Sequence, residues 1–116
     1  MKLAMTALAI ALLVSVNVQA NEIKLEVNAT AYCEKQHRTA SGEKVNHKTI
    51  AVSRDIKQKY NLKWGQRVWV SVLNEHRIIQ DLMAKRIKNT FDIWFPSEIT
   101  CRKWGKRTVT VTLVVR

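Results

Sequence analysis

The chain is short of the residues that loosen or interrupt a backbone: its 116 residues include one proline and three glycines. That scarcity excludes long flexible linkers, and neither an internal repeat nor a low-complexity tract is expected. Acidic residues are also few, nine against twenty Lys and Arg, for a formal net charge of +11. The two cysteines, Cys33 and Cys101, and the scattered His37, His47 and His76 have no metal-type spacing, so no metal site is expected. There is no Gly-rich phosphate loop and no other cofactor motif, and no cofactor is implied.

One apolar run stands out, Leu3 to Val14 within MKLAMTALAIALLVSVNVQA. A basic residue before it, a polar tail after it and small residues at its end are the three regions of a secretory signal peptide. The run is short for a membrane span. Cleavage after Ala20 would leave residues 21–116 as a single small domain, exported to the periplasm or the medium, with no stable membrane anchor. Without Lys2 that domain keeps 19 basic residues against nine acidic ones, a net charge of +10. Outside the cytoplasm such a charge points away from nucleic acid and toward the anionic polymers of the cell envelope. An oxidising destination makes Cys33 and Cys101 candidates for a disulfide.

Strand patterns dominate the rest. Ile23, Leu25, Val27, Ala29 and Ala31 alternate with polar residues, as do Val109, Val111, Leu113 and Val115 with threonines. TIAV (49–52) is a short apolar run of strand size. GQRVWVSVL (65–73) places Val68, Val70 and Val72 on one face, and RIIQDL is its return strand. A short amphipathic helix is expected over 54–62. A second is expected within PSEITCRKWG, with Ser97 as N-cap, Gly105 as the C-terminal stop and Cys101 and Trp104 on the buried face. Of the four tryptophans, Trp69 and Trp104 read as core, while Trp64 and Trp94 divide evenly between core packing and a sugar platform. Strands with one or two small helices in so short a chain suggest a monomeric β-barrel or sandwich.

The stretch QDLMAKRIKNTFDIWFP (80–96) places Asp81 and Asp92 eleven positions apart, with Asp92 among Phe91, Ile93 and Trp94. An aspartate in apolar surroundings loses hydration in its charged form. Four pieces of the chain, TAYC (30–33), TASGEKV with TIAVS (39–53), QDLMAKRIKNTFDIW (80–94) and FPSEITCRKWGKRTVTVTLV (95–114), are similar in order to the 3D domain. That three-aspartate barrel is found in lytic transglycosylases such as membrane-bound lytic transglycosylase A, and the rare-lipoprotein-A barrel is a more distant relative.

The resemblance implies an all-β fold with little helix, a six-stranded double-psi β-barrel. It also implies cleavage of peptidoglycan between N-acetylmuramic acid and N-acetylglucosamine, forming a 1,6-anhydro sugar. Asp92 takes the place of the acid/base and Asp81 that of its neighbour. Thr39, Ser41, Ser53, Lys85, Arg86, Lys88, Asn89 and Trp94 fall along the implied substrate groove. Two departures stand beside it. Ser53 occupies the place of the family's first aspartate, with Asp55 two residues on, and Leu82-Met83-Ala84 stand where glycines usually follow the second. The alternatives are a barrel that binds peptidoglycan or another envelope polyanion without chemistry, and an exported protein-binding module or inhibitor.

Overall fold

Six strands and two short helices follow from these patterns in a computed structural model that describes residues 21–35 and 38–115. The leader expected over residues 1–20, and His37, lie outside the described residues. The strands are β1 (Asn21–Tyr32), β2 (Thr49–Val52), β3 (Arg67–Val70), β4 (Glu75–Leu82), β5 (Thr90–Trp94) and β6 (Arg107–Val115). The helices are α1 (Arg54–Lys59) and α2 (Glu98–Trp104). The sheet closes in the order β1-β5-β2-β4-β3-β6. β1–β5 and β2–β4 pair in parallel, and the other four pairs are antiparallel.

The core comes from the inward-facing member of each alternating pair, including Val27, Ile50, Val68, Ile79, Phe91, Ile93, Val111 and Leu113. β2 is buried at every position, as a strand flanked by β4 and β5 must be.

The closed order has a two-fold regularity. Exchanging β1 with β4, β2 with β5 and β3 with β6 reproduces every neighbour and every strand direction. This is the double-psi arrangement, in which each half contributes strand, strand, helix, strand. The halves also share a pentad that corrects the expectation of no repeat. Lys63-Trp64-Gly65-Gln66-Arg67 leads into β3, and Lys103-Trp104-Gly105-Lys106-Arg107 leads into β6. Both glycines take positive φ, +86° and +64°, which a residue with a Cβ adopts only with strain.

Two boundaries differ from the sequence expectation. α1 ends at Lys59 rather than Leu62, because Asn61 enters the left-handed region (φ 51°) and turns Leu62 into the core. β3 stops at Val70, and Ser71–Leu73 form a single 3-10 turn closed by Asn74 at φ 53°. Val72 is therefore half exposed instead of facing inward. α2 agrees with its pattern: the Ser97 hydroxyl accepts from the Thr100 amide, and Gly105 closes the helix.

Candidate functional site

The two aspartates meet through strand register. Asp92 on β5 lies beside Thr30 of β1 and Ala51 of β2, and Ala51 lies beside Asp81 of β4. Four strands thus carry the row Thr30, Asp92, Ala51, Asp81. Two strand spacings, about 10 Å, separate the aspartate backbones, and the intervening alanine leaves space between the carboxyls. A bulge after Ile79 makes Gln80 the extra residue and brings Asp81 opposite Ala51.

Each carboxyl has a distinct environment. The Thr30 hydroxyl donates to Asp92 Oδ1 at 2.8 Å. Burial raises the Asp92 pKa and nearby Asp81 and Glu34 add to the rise, which outweighs the lowering by the Thr30 bond. Asp81 receives more donors: the amides of Ala40 and Leu82 at 2.9 Å to Oδ1, and the Tyr32 hydroxyl at 3.3 Å to Oδ2. Burial and the two aspartates push the Tyr32 phenol upward, so it remains a donor.

The Asp81 anchor explains the turn over residues 39–43. Thr39 accepts from the Gly42 amide, and the Thr39 amide and hydroxyl both bond the Glu43 carbonyl. The Ser41 amide donates to the carbonyl of bulged Gln80. The turn thereby holds the Ala40 amide against Asp81.

Above the row lies an open cleft of about 300 Å³, lined by Tyr32, Glu34, Ala51, Asp81, Leu82, Met83, Ala84, Ile87 and Asp92. Part of its wall is apolar, formed by Leu82, Met83, Ala84 and Ile87. Among the described residues no group of three or more His, Cys, Asp or Glu is arranged to hold a metal ion.

No known family profile and no curated protein matches the sequence. Among solved structures, the chain is similar to the Streptomyces papain inhibitor, with a TM-score of 0.55 over 81% of this chain and 96% of that one, at 15% identity. The likeness is one of fold.

Several expected site residues serve the scaffold instead. Ser53 is wholly buried; its hydroxyl accepts from the Thr90 amide at 3.1 Å, so it cannot touch a substrate. Asp55 does not replace the missing aspartate in the cleft. It caps the loop before β5 by accepting from the Asn89 amide, and such bonds outweigh burial to lower its pKa. Thr39 is buried within its turn and Ser41 is bonded to it, which places both behind Asp81. Trp94 is also buried, its indole donating to the Glu34 carbonyl, and offers no stacking face.

Lys85, Arg86, Lys88 and Asn89 are exposed on the loop between β4 and β5 and lie outside the cleft lining, which Met83, Ala84 and Ile87 occupy. Cys33 and Cys101 are thiols in this structure rather than a disulfide. Burial and the contact with the Cys33 thiol push Cys101 up to about 11.

Sequence reasoning missed Thr30 and Tyr32 as partners of the aspartates, although both stand in the TAYC segment. It also missed Arg77, a buried guanidinium that bonds Glu75, the Thr49 carbonyl and the Trp94 carbonyl, tying β2, β4 and β5 together. An arginine at an inward strand position opposite no acidic residue was the available signal.

Proposed function

We propose that this chain is an exported peptidoglycan-acting barrel, a lytic transglycosylase in which Asp92 is the single acid/base. The observation that carries the reading is Asp92 itself: a carboxyl of raised pKa, held by one hydroxyl, at the floor of an open cleft whose second carboxyl is tied by three donors. Groups whose surroundings differ in this way divide acid and anchoring roles. The resemblance of the 80–94 segment to the 3D domain supplies the reaction.

Protonated Asp92 gives its proton to the glycosidic oxygen as the bond to the muramic acid anomeric carbon breaks. The resulting carboxylate then takes the proton of that sugar's 6-hydroxyl as its oxygen closes on the same carbon. The products are a 1,6-anhydro end and a free 4-hydroxyl; no water is consumed, and Asp92 ends protonated as it began. Asp81 and Tyr32 orient the sugar.

The test is incubation of the purified protein with intact sacculi, followed by mass spectrometry of the soluble products. Anhydro-muropeptides from the wild type and none from Asp92→Asn are expected. Equal product from both would remove Asp92 from the mechanism.

A second reading rests on two observations: the fold likeness to a protein named as a papain inhibitor, and the strongly basic surface. An exported inhibitor would use that charge to steer toward an acidic enzyme surface. Release of anhydro-sugars distinguishes the two.

A further inference from the structure

The cleft does not end at Leu82. That residue also lines a second depression of about 440 Å³ with Arg54, Lys57, Asn61 and Lys63. Asn61 and Lys63 in turn line a third, of about 520 Å³, with Tyr60, Trp64, Gly65, Gln66 and Arg67. The shared lining residues place the three depressions next to one another as a track, from the aspartates along α1 to the turn before β3. Beyond the aspartate cleft it is walled by four cations, Arg54, Lys57, Lys63 and Arg67, and no described acidic residue lines that part.

Its far end is an exposed indole. Trp64 is 39% exposed, whereas its counterpart Trp104 is 7% exposed and donates to the Ala29 carbonyl. Arg107 covers Trp104 at 4.0 Å from the ring, while the cation over Trp64, at 4.6 Å, is Lys57 of the groove wall. Trp64 thus leaves part of its ring open to solvent beside Lys57, where its twin in the shared turn motif is closed over.

We infer that this groove is an extended binding track for a glycan strand bearing spaced carboxylates, with the sugar face against Trp64 and the acid groups on Lys57 and Lys63. The inference deepens the proposed reading, on which it rests. A polyphosphate or nucleic acid fits less well: its dense charge would have to pass the Asp81 carboxylate, which repels it, whereas sugar hydroxyls donate to that carboxylate.

The test measures binding apart from cleavage. In the Asp92→Asn protein, co-sedimentation with sacculi is followed for Trp64→Ala and for Lys57→Glu with Lys63→Glu, with inorganic polyphosphate as competitor. Each change is expected to weaken binding about tenfold, the lysine pair with a shallower salt dependence, and Trp64→Phe to restore most of the loss from Trp64→Ala. Unchanged binding in all variants, or equal displacement by polyphosphate at matched charge with no effect of Trp64→Ala, would overturn the track. Cleavage is read separately in the Asp92-containing protein. Lost binding in the variants with no anhydro product from the wild type would sink the acid/base reading and leave the track. Product from the wild type with undiminished binding in the variants would do the reverse.

Discussion

The two halves of the barrel share a topology and have diverged in opposite directions. The exchange that maps β2 onto β5 carries Ala51, at the centre of their antiparallel pairing, onto Asp92, and Asp81 onto Thr30. One side of the axis therefore carries a carboxylate where the other has a methyl group, and the outer positions hold a carboxylate and a hydroxyl. The shared turn diverges the other way: the second half buries Trp104 under Arg107, and the first leaves Trp64 in the groove. The carboxyls and the exposed indole each stand on one copy of an element, while the twin position is apolar, hydroxylic or buried.

The largest effect that would break this comparison is on activity. Asp92→Asn is expected to lower anhydro-muropeptide release by about a hundred- to ten-thousandfold, the range for loss of a general acid/base. The circular dichroism spectrum should stay unchanged, because the Thr30 hydroxyl can donate equally to an amide oxygen.

Next come the paired tryptophans. Trp104→Ala should cost about 3–5 kcal/mol in chemical denaturation, through the lost ring volume and the lost indole bond to the Ala29 carbonyl. Trp64→Ala should stay within about 0.5 kcal/mol, as for an exposed side chain. Equal costs would mean that the two turns are structurally equivalent and would remove the contrast.

A smaller effect is expected at Ser53, which is wholly buried. Ser53→Ala leaves the Thr90 amide unpaired inside the protein and should cost about 1–3 kcal/mol in the same measurement. Binding to sacculi should remain unchanged, because the side chain never reaches the groove.

Much of this fold was legible because burial acts on one strand at a time. The alternation of Val109, Val111 and Leu113 against threonines needs no knowledge of partners, and β6 follows it. Boundaries set by a single residue's backbone were not legible: nothing in the pattern says that Asn61 or Asn74 takes positive φ. The Asp81–Asp92 pair was visible through its spacing and family likeness. Its partners Thr30, Tyr32 and the Ala40 amide were not, since they depend on the register of β1 against β5 and on a bulge at Gln80. The same limit explains Ser53 and Trp94. Both lie in segments that resemble the family, and only closure of the barrel decides which of their faces meets solvent.

The finest comparison is between Asp92 and its twin position, and pH reads it. Burial raises the native pKa of Asp92 above its unfolded value of about 4. Between those two values the native state holds a proton that the unfolded state releases, so the slope of stability with pH is negative. The contribution is fully present below the unfolded value and is lost as pH rises through the native one. Asp92→Asn, like the alanine of the other half, has no such proton. Its melting temperature relative to wild type should therefore rise with pH from about 4 upward and level off above the native pKa. Carboxylates remote from Asp92 contribute equally in both proteins and cancel in the difference. Thr30→Val removes the bond that lowers the Asp92 pKa, and should carry the wild-type loss to higher pH. A difference that falls with pH would mean that Asp92 is held as a stabilised anion, and would leave the barrel without its acid.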